Sequence, residues 1–190
     1  KGEILIFTDS DCVPHRDWVF QMLSAPAKKA GKGEPMSDKI AAVAGSYGIA
    51  NPEKLLARCI HKEILYRHHY LMPVFPKVLG SYNFCIRRKV FEEIGGFNES
   101  YRHASGEDNE ISYKMYKYQY KILFNKNSLV DHYHTASIKE YLFEQGRHGY
   151  WRVKMYCQYP EMMRGDDYTF WKDILEIPAV LIFLGLFILT

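Results

Sequence analysis

The sequence has few cysteines, little net charge and no repeated segments. Its four cysteines are scattered without a C-x-x-C pair, which argues against a disulfide framework and indicates free thiols in a reducing compartment. The formal net charge of +3 is too small to indicate a nucleic-acid partner. The sequence begins Lys1-Gly2-Glu3 directly before an apolar segment, with no initiator methionine and no signal peptide. We therefore expect a piece of a longer protein.

The chain does contain enough apolar material for one sizeable core. Of its 190 residues, 47% are hydrophobic and 15% are aromatic, as in globular proteins. Strand and helix patterns alternate along residues 1–158, which predicts an α/β layered domain. The predicted strands cover residues 4–7, 40–49, 82–87, 121–124 and 129–134. One helix is predicted to begin at Pro14, and others cover residues 52–70, 89–94, 107–118 and 137–159.

The end of the chain differs in kind from the rest. Residues 174–190 are apolar apart from Glu176 and Thr190. Since a membrane span needs roughly 20 apolar residues, we predict that a transmembrane helix starts here, after a linker at 159–173. Basic residues precede it, which predicts a globular part on the cytoplasmic side, with the aromatic and basic helix at 137–159 against the membrane surface. The alternatives are a buried helix of a larger domain and an ordinary helix that covers the sheet.

An apolar strand at residues 4–7 runs directly into two carboxylates, Asp9 and Asp11. An apolar run of this kind is typical of a buried central strand. Two carboxylates at the carboxyl end of such a strand can present oxygens to a hard divalent metal ion. The pattern predicts a ligand crevice here, and the alternative is a turn or a helix N-cap.

A second acidic motif lies at the start of a predicted helix, where Glu107 and Asp108 follow Gly106. The first turn of a helix favours ionised carboxylates, so Asp108 is a candidate general base for a hydroxyl group. The alternative is a capping box in which Ser105 is the N-cap.

Histidines form two further groups. His132 and His134 end a predicted strand, where residues two apart point to the same face and could line one site. His61, His68 and His69 lie in a predicted helix without an acidic partner at ligand spacing, and are interpreted as a solvated or interfacial face.

Taken together, these motifs resemble the C-terminal half of a family 2 glycosyltransferase with the GT-A fold, over about residues 1–159. The matching segments are Phe7-Thr8-Asp9-Ser10-Asp11, Gly80-Ser81-Tyr82-Asn83, Arg88-Lys89-Val90-Phe91-Glu92-Glu93-Ile94-Gly95-Gly96-Phe97-Asn98-Glu99, Gly106-Glu107-Asp108 and Val130-Asp131-His132-Tyr133-His134. The resemblance implies a partial GT-A mixed sheet flanked by helices, followed by the C-terminal membrane helix.

The resemblance also implies roles for the acidic residues and the late histidines. Asp9 and Asp11 would bind a nucleotide-sugar and its Mn²⁺ or Mg²⁺, with Asp11 as the direct ligand. His132 or His134 would complete the metal site. Asp108 would be the catalytic base.

Three other residues receive roles from the same resemblance. Glu107 would lie beside the base and contact the acceptor. Asn83 would line the pocket near the donor sugar, and Phe97 would line it near the acceptor.

The implied activity is inverting, metal-dependent transfer of a sugar from a UDP- or GDP-sugar to a hydroxyl of a glycan or lipid-linked acceptor at the membrane. The Q-x-x-R-W signature of processive synthases is absent, which favours single additions. The alternatives are a haloacid-dehalogenase-like phosphatase, which also opens with a strand and D-x-D, and an inactive membrane-anchored module that binds sugar nucleotides.

Overall fold

The computed structural model describes residues 2–29, 40–101, 106–164 and 167, and within them five strands form one mixed sheet. The strands are β1 (Ile4–Thr8), β2 (Cys12–Pro14), β3 (Ile40–Ile49), β4 (Asn83–Arg87) and β5 (Lys121–His132). Their order in the sheet is β1-β4-β3-β5-β2. The central pair, β3 and β5, is parallel, and the other pairs are antiparallel.

Helices lie on both faces of the sheet, which confirms the predicted mixed α/β architecture. They are α1 (Trp18–Lys29), α2 (Leu55–Tyr66), α3 (Arg88–Glu93), α4 (Glu107–Lys117) and α5 (Ile138–Gln158). A π-helical turn, Arg67–Leu71, extends α2, and a 3₁₀ helix, Pro160–Arg164, follows α5.

The core is divided by the sheet because successive side chains of a strand point to opposite faces. Ala42 and Ala44 of β3 belong to the cluster that contains Val90 of α3 and Met115 of α4. Between them, Val43 belongs to the cluster under α1. The small alanines allow the helices on their side to approach the sheet closely.

The predicted position of the first strand is wrong. Its apolar sequence indicates a central strand, yet β1 lies at an edge of the described sheet and pairs there only with β4. Its outer residues are exposed, and Ile4 retains 38% of its accessible surface. Hydropathy alone did not distinguish a central strand from an apolar edge strand.

Two other predicted elements differ from the structure. Pro14 does not begin a helix but ends β2, an edge strand in which a missing backbone N–H breaks no ladder bond. The two short strands predicted at 121–124 and 129–134 are one continuous strand, β5. Its register against β3 jumps between Gly45 and Ser46, so the polar residues between the two apolar segments form a bulge.

The predicted transmembrane helix at 174–190 and most of the linker at 159–173 lie outside the described residues. Within the described ranges, no helix combines the length and the hydropathy needed to cross a bilayer. The membrane helix therefore stays a prediction.

Candidate active site

The D-x-D motif occupies the tight connection between β1 and β2. The backbone N–H of Cys12 donates to the carbonyl oxygen of Asp9 at 3.1 Å, which closes a turn. The N–H of Tyr133 donates to the carbonyl of Asp11 at 2.9 Å and fixes this turn against the end of β5. The carboxylate of Asp11 remains accessible, with 52% of its side chain exposed.

The structure brings His132 close to Asp11, and the family resemblance implies a metal site formed by Asp11 and one of the late histidines. Its Nε2 atom lies 3.3 Å from Oδ2 of Asp11, and only 20% of the side chain is exposed. Cys12 joins the pair, because it lies directly opposite His132 in the β2–β5 register. One ligand atom from each of the three residues lies within 4.8 Å of the other two.

The charges at this turn favour a bound cation. Burial raises the pKa of Asp9, and the charge of Asp11 raises it further. Burial, followed by the charges of Asp11 and Asp9, raises the pKa of Cys12 to about 12, so without a cation its thiol stays protonated. A divalent cation would offset the repulsion between the carboxylates, and carboxylate oxygens are ligands that suit Mg²⁺ and Mn²⁺. The residues present therefore fit a divalent metal, which Asp11 and His132 would hold.

His134 lies behind His132 and does not contact Asp11. Its Nδ1 atom is 3.0 Å from Nδ1 of His132, and its Nε2 atom is 3.4 Å from Nδ1 of His61. The side-chain amide of Asn51 holds the backbone of His134 through two hydrogen bonds, of 2.7 and 3.1 Å. Burial, then His132 and His61, lower the pKa of His134 to about 4, so it is a neutral residue that orients His132.

The interpretation of His61, His68 and His69 as a solvated or interfacial face is wrong for His68. His68 is 2% exposed and its Nδ1 atom lies 2.8 Å from Oγ of Ser46, while burial lowers its pKa to about 4. His61 is partly buried against His134, and His69 is exposed. The seven-residue spacing between His61 and His68 is a signal for a shared helix face, which His69 does not share.

The predicted base, Asp108, lies in the first turn of α4. The N-cap is Gly106 with φ of 95°, a conformation that glycine adopts easily, whereas Ser105, the N-cap of the predicted capping box, lies outside the described residues. The Oδ1 atom of Asp108 accepts the backbone N–H of Asn109 at 2.7 Å. Burial, followed by the charge of Glu107, raises the pKa of Asp108 to about 6.

The two acidic motifs belong to one electrostatic site. The charge of Asp9 contributes to the raised pKa of Asp108, and the charge of Glu107 contributes to that of Asp9. A Cβ atom added to Gly80 would lie 3.2 Å from Oδ2 of Asp108, so the Gly-Ser-Tyr-Asn segment forms the adjoining wall.

Asn83 is a scaffold residue in this structure. It is fully buried, and its Nδ2 group donates to the carbonyls of Ser46 and Ser128, both at 2.9 Å. Its Oδ1 atom accepts from Trp18 Nε1 at 2.8 Å and from the hydroxyl of Ser128 at 3.3 Å. These four bonds use the whole capacity of the amide, so the geometry gives it no atom with which to contact a donor sugar.

Phe97 packs into the edge of the core. Its ring meets those of Phe7 and Phe91 edge to face, with centroids 5.3 and 5.6 Å apart. The ring is partly buried, which supports the loop after α3 and leaves part of its surface accessible.

Comparisons with known proteins give one family match and one similar solved structure. A sequence family described as "Glycosyltransferase like family 2" matches residues 1–150. No curated protein matches the chain. Among solved structures, the chain is similar to the mannosyltransferase PcManGT from Pyrobaculum calidifontis in complex with GDP-Man and Mn²⁺, with 18% identity and a TM-score of 0.41. That match covers 69% of this chain and 32% of the other, so the chain spans about a third of the length of that protein.

Proposed function

Because this chain belongs to the glycosyltransferase-like family 2, we propose that the intact protein transfers a sugar from a UDP- or GDP-sugar to a hydroxyl of a glycan or lipid-linked acceptor. The five-stranded mixed sheet flanked by helices is consistent with part of a GT-A fold. Transfer would proceed by direct displacement with inversion at the sugar carbon, and would depend on a divalent metal.

One observation carries this proposal: Asp11 of the D-x-D turn and His132 of β5 lie 3.3 Å apart. Asp11 and His132 would hold Mn²⁺ or Mg²⁺, with Asp9 adding charge beside them. When bound, the cation neutralises negative charge that develops on a diphosphate leaving group. The position of this pair, at the connection between β1 and β2, is accessible to a donor diphosphate.

The proton of the acceptor hydroxyl would pass to Asp108. Burial keeps this carboxyl near a pKa of about 6, which is closer to neutral pH than an ordinary aspartate and makes it a stronger base. It comes from α4, whereas the metal ligands come from the D-x-D turn and β5, so base and metal can act from different sides of a sugar. Glu107 would contact the acceptor beside it.

We also propose that the intact protein works at a membrane, with this domain on the cytoplasmic side. Helix α5 exposes large apolar side chains, among them Leu142 (64%) and Phe143 (73%). They line a groove of α5 together with two cations and two carboxylates: Lys139, Arg147, Glu140 and Glu144. Exposed apolar side chains beside charged ones suit the interface of a bilayer.

The test is transfer by the full-length protein. Purified protein should release free nucleoside diphosphate from a UDP- or GDP-sugar in the presence of acceptor and Mn²⁺, and chelation should abolish this release. Asp11→Ala should abolish transfer and Asp108→Asn should lower it by a factor on the order of 10²–10⁴. Glu92→Gln, at an exposed carboxylate of α3, is the control. Metal-independent transfer, or full transfer by both variants, would overturn the proposal.

A further inference from the structure

The antiparallel pairing of β2 with β5 gives the metal site a third potential ligand, the thiol of Cys12. Cys12 and His132 are directly opposed in the register, and directly opposed side chains share one face of a sheet about 4.5–5.5 Å apart at Cβ. The Sγ atom lies 3.9 Å from Oδ1 of Asp11. Sulfur, imidazole nitrogen and carboxylate oxygen therefore converge on one point, with ligand atoms within 4.8 Å of each other.

These three ligands differ in the metals they prefer. Mg²⁺ and Mn²⁺ are hard cations that prefer oxygen ligands, so neither requires the thiol. Zn²⁺ binds thiolate, imidazole and carboxylate in tetrahedral sites, and a site with three protein ligands leaves its fourth position open. The set Asp11, Cys12 and His132 has the composition of such an open zinc site.

The site is also fixed before a metal arrives. The backbone of Asp11 is tied to β5 by the Tyr133 N–H at 2.9 Å, and His134 meets the far nitrogen of His132 at 3.0 Å. A neighbour of this kind on a ligating histidine sets its orientation and raises the affinity for the metal. Two of the three ligands lie on paired strands, which limits how far they can separate.

From this arrangement we propose that the metal site of this protein is bifunctional: Asp11 and His132 bind the activating hard cation, and Cys12 joins them to bind Zn²⁺, which competes with that cation. The thiol proton passes to solvent when the sulfur–zinc bond forms, and no redox step is involved. The inference deepens the proposed function, because Zn²⁺ at this position would displace the activating metal and inhibit transfer.

Binding is tested directly, so that the result does not depend on transfer. The full-length protein is titrated with Co²⁺, which reports a thiolate ligand by a charge-transfer band in the near ultraviolet. Zn²⁺ and Mn²⁺ affinities are then measured by competition. Cys12→Ser should lose the band and weaken Zn²⁺ binding by at least about tenfold, the lower end of what loss of even an outer-shell partner costs. Its affinity for Mn²⁺ should be unchanged.

Two exposed cysteines provide matched controls. Cys59→Ser and Cys157→Ser remove thiols that lie on α2 and α5, and both should keep the band and the affinity for Zn²⁺. Retained Mn²⁺ binding by Cys12→Ser shows that this variant is folded.

Three results would overturn the inference. They are an unchanged band in Cys12→Ser, loss of the band in a control variant, and an equal fall of Zn²⁺ and Mn²⁺ affinity. Thiol-dependent Zn²⁺ binding without any sugar transfer would instead refute the proposed function and leave this inference standing.

Discussion

Replacing Asp108 by asparagine in the full-length protein should lower catalysis and raise stability at the same time. The side chain is partly buried, and burial together with the charge of Glu107 raises its pKa to about 6. The fold thus favours the protonated form, whereas a general base must be ionised. Asparagine keeps the size of the side chain and an oxygen to accept the N–H of Asn109, but it carries no charge.

The expected gain in stability follows from the distance of this pKa from the ordinary value of 3.8. Roughly two units at about 1.4 kcal/mol each give an upper bound near 3 kcal/mol, and solvent at the partly exposed site reduces it to about 1–2 kcal/mol. Between about pH 4 and pH 6 the native carboxyl binds more protons than the unfolded one, so wild-type stability falls as pH rises. The gain in unfolding free energy of Asp108→Asn over wild type is therefore largest above about pH 6 and disappears below about pH 4.

Thermal unfolding of both proteins at several pH values shows whether Asp108→Asn is more stable than wild type, since about 1 kcal/mol moves Tm by about 2–4 °C in a domain of 150–250 residues. Transfer per folded molecule should fall by a factor on the order of 10²–10⁴, with donor binding largely retained. The wild-type rate should itself decline as pH drops through about 6, because the base becomes protonated.

The control for this experiment lies on the same helix. Glu110 is fully buried and forms an ion pair with Lys114 at 3.0 Å, so Glu110→Gln should destabilise the protein where Asp108→Asn stabilises it. An Asp108→Asn variant that is less stable than wild type at neutral pH, with an unchanged transfer rate, would refute both the buried-charge argument and the role as base.

Four further predictions concern the site and its surroundings. Asp11→Ala should abolish Mn²⁺-dependent transfer with little change in Tm, because the side chain is half exposed; normal turnover at saturating Mn²⁺ would contradict its role as ligand. His132→Ala should weaken Mn²⁺ binding, measured by calorimetry, more than His134→Ala does, and the reverse order would show that the buried histidine is the ligand. Asn83→Asp should lower stability in denaturant melts by about 3 kcal/mol or more, because a carboxylate would face two carbonyl oxygens, and a native-like midpoint would exclude the scaffold role. Removal of residues 174–190 should release the protein from membranes into the soluble fraction, and full-length protein that is soluble without detergent would refute the membrane proposal.

Local patterns in the sequence were sufficient for the class of fold and for several boundaries. Helix α4 begins at Glu107, as predicted, with the acidic residues in its first turn. Helix α5 follows Ser137, whose side chain accepts the N–H of Glu140 as an N-cap. Such signals lie within a few residues of one another, so they can be read without knowledge of the rest of the chain.

The pairing of distant segments could not be read in this way. The sequence predicts that Asp11 and a late histidine share a site, through the family resemblance, but it leaves His132 and His134 equivalent. The register of β2 against β5 separates them: His132 lies opposite Cys12 and faces Asp11, whereas His134 lies past the end of the strand, behind it. The same register makes Cys12 a potential ligand, which its scattered position in the sequence did not suggest.

The sequence by itself therefore determined the alternation of strands and helices, the acidic turn after β1 and the acidic start of α4. These depend on hydrophobic periodicity and on backbone preferences, which act over a few residues. Only the tertiary structure decided that β1 is an edge strand, that the amide of Asn83 is fully hydrogen-bonded within the protein, and that His61 is partly buried. Those outcomes depend on which strands pair and on which polar atoms are then buried. Both depend on contacts between segments that are far apart in the chain.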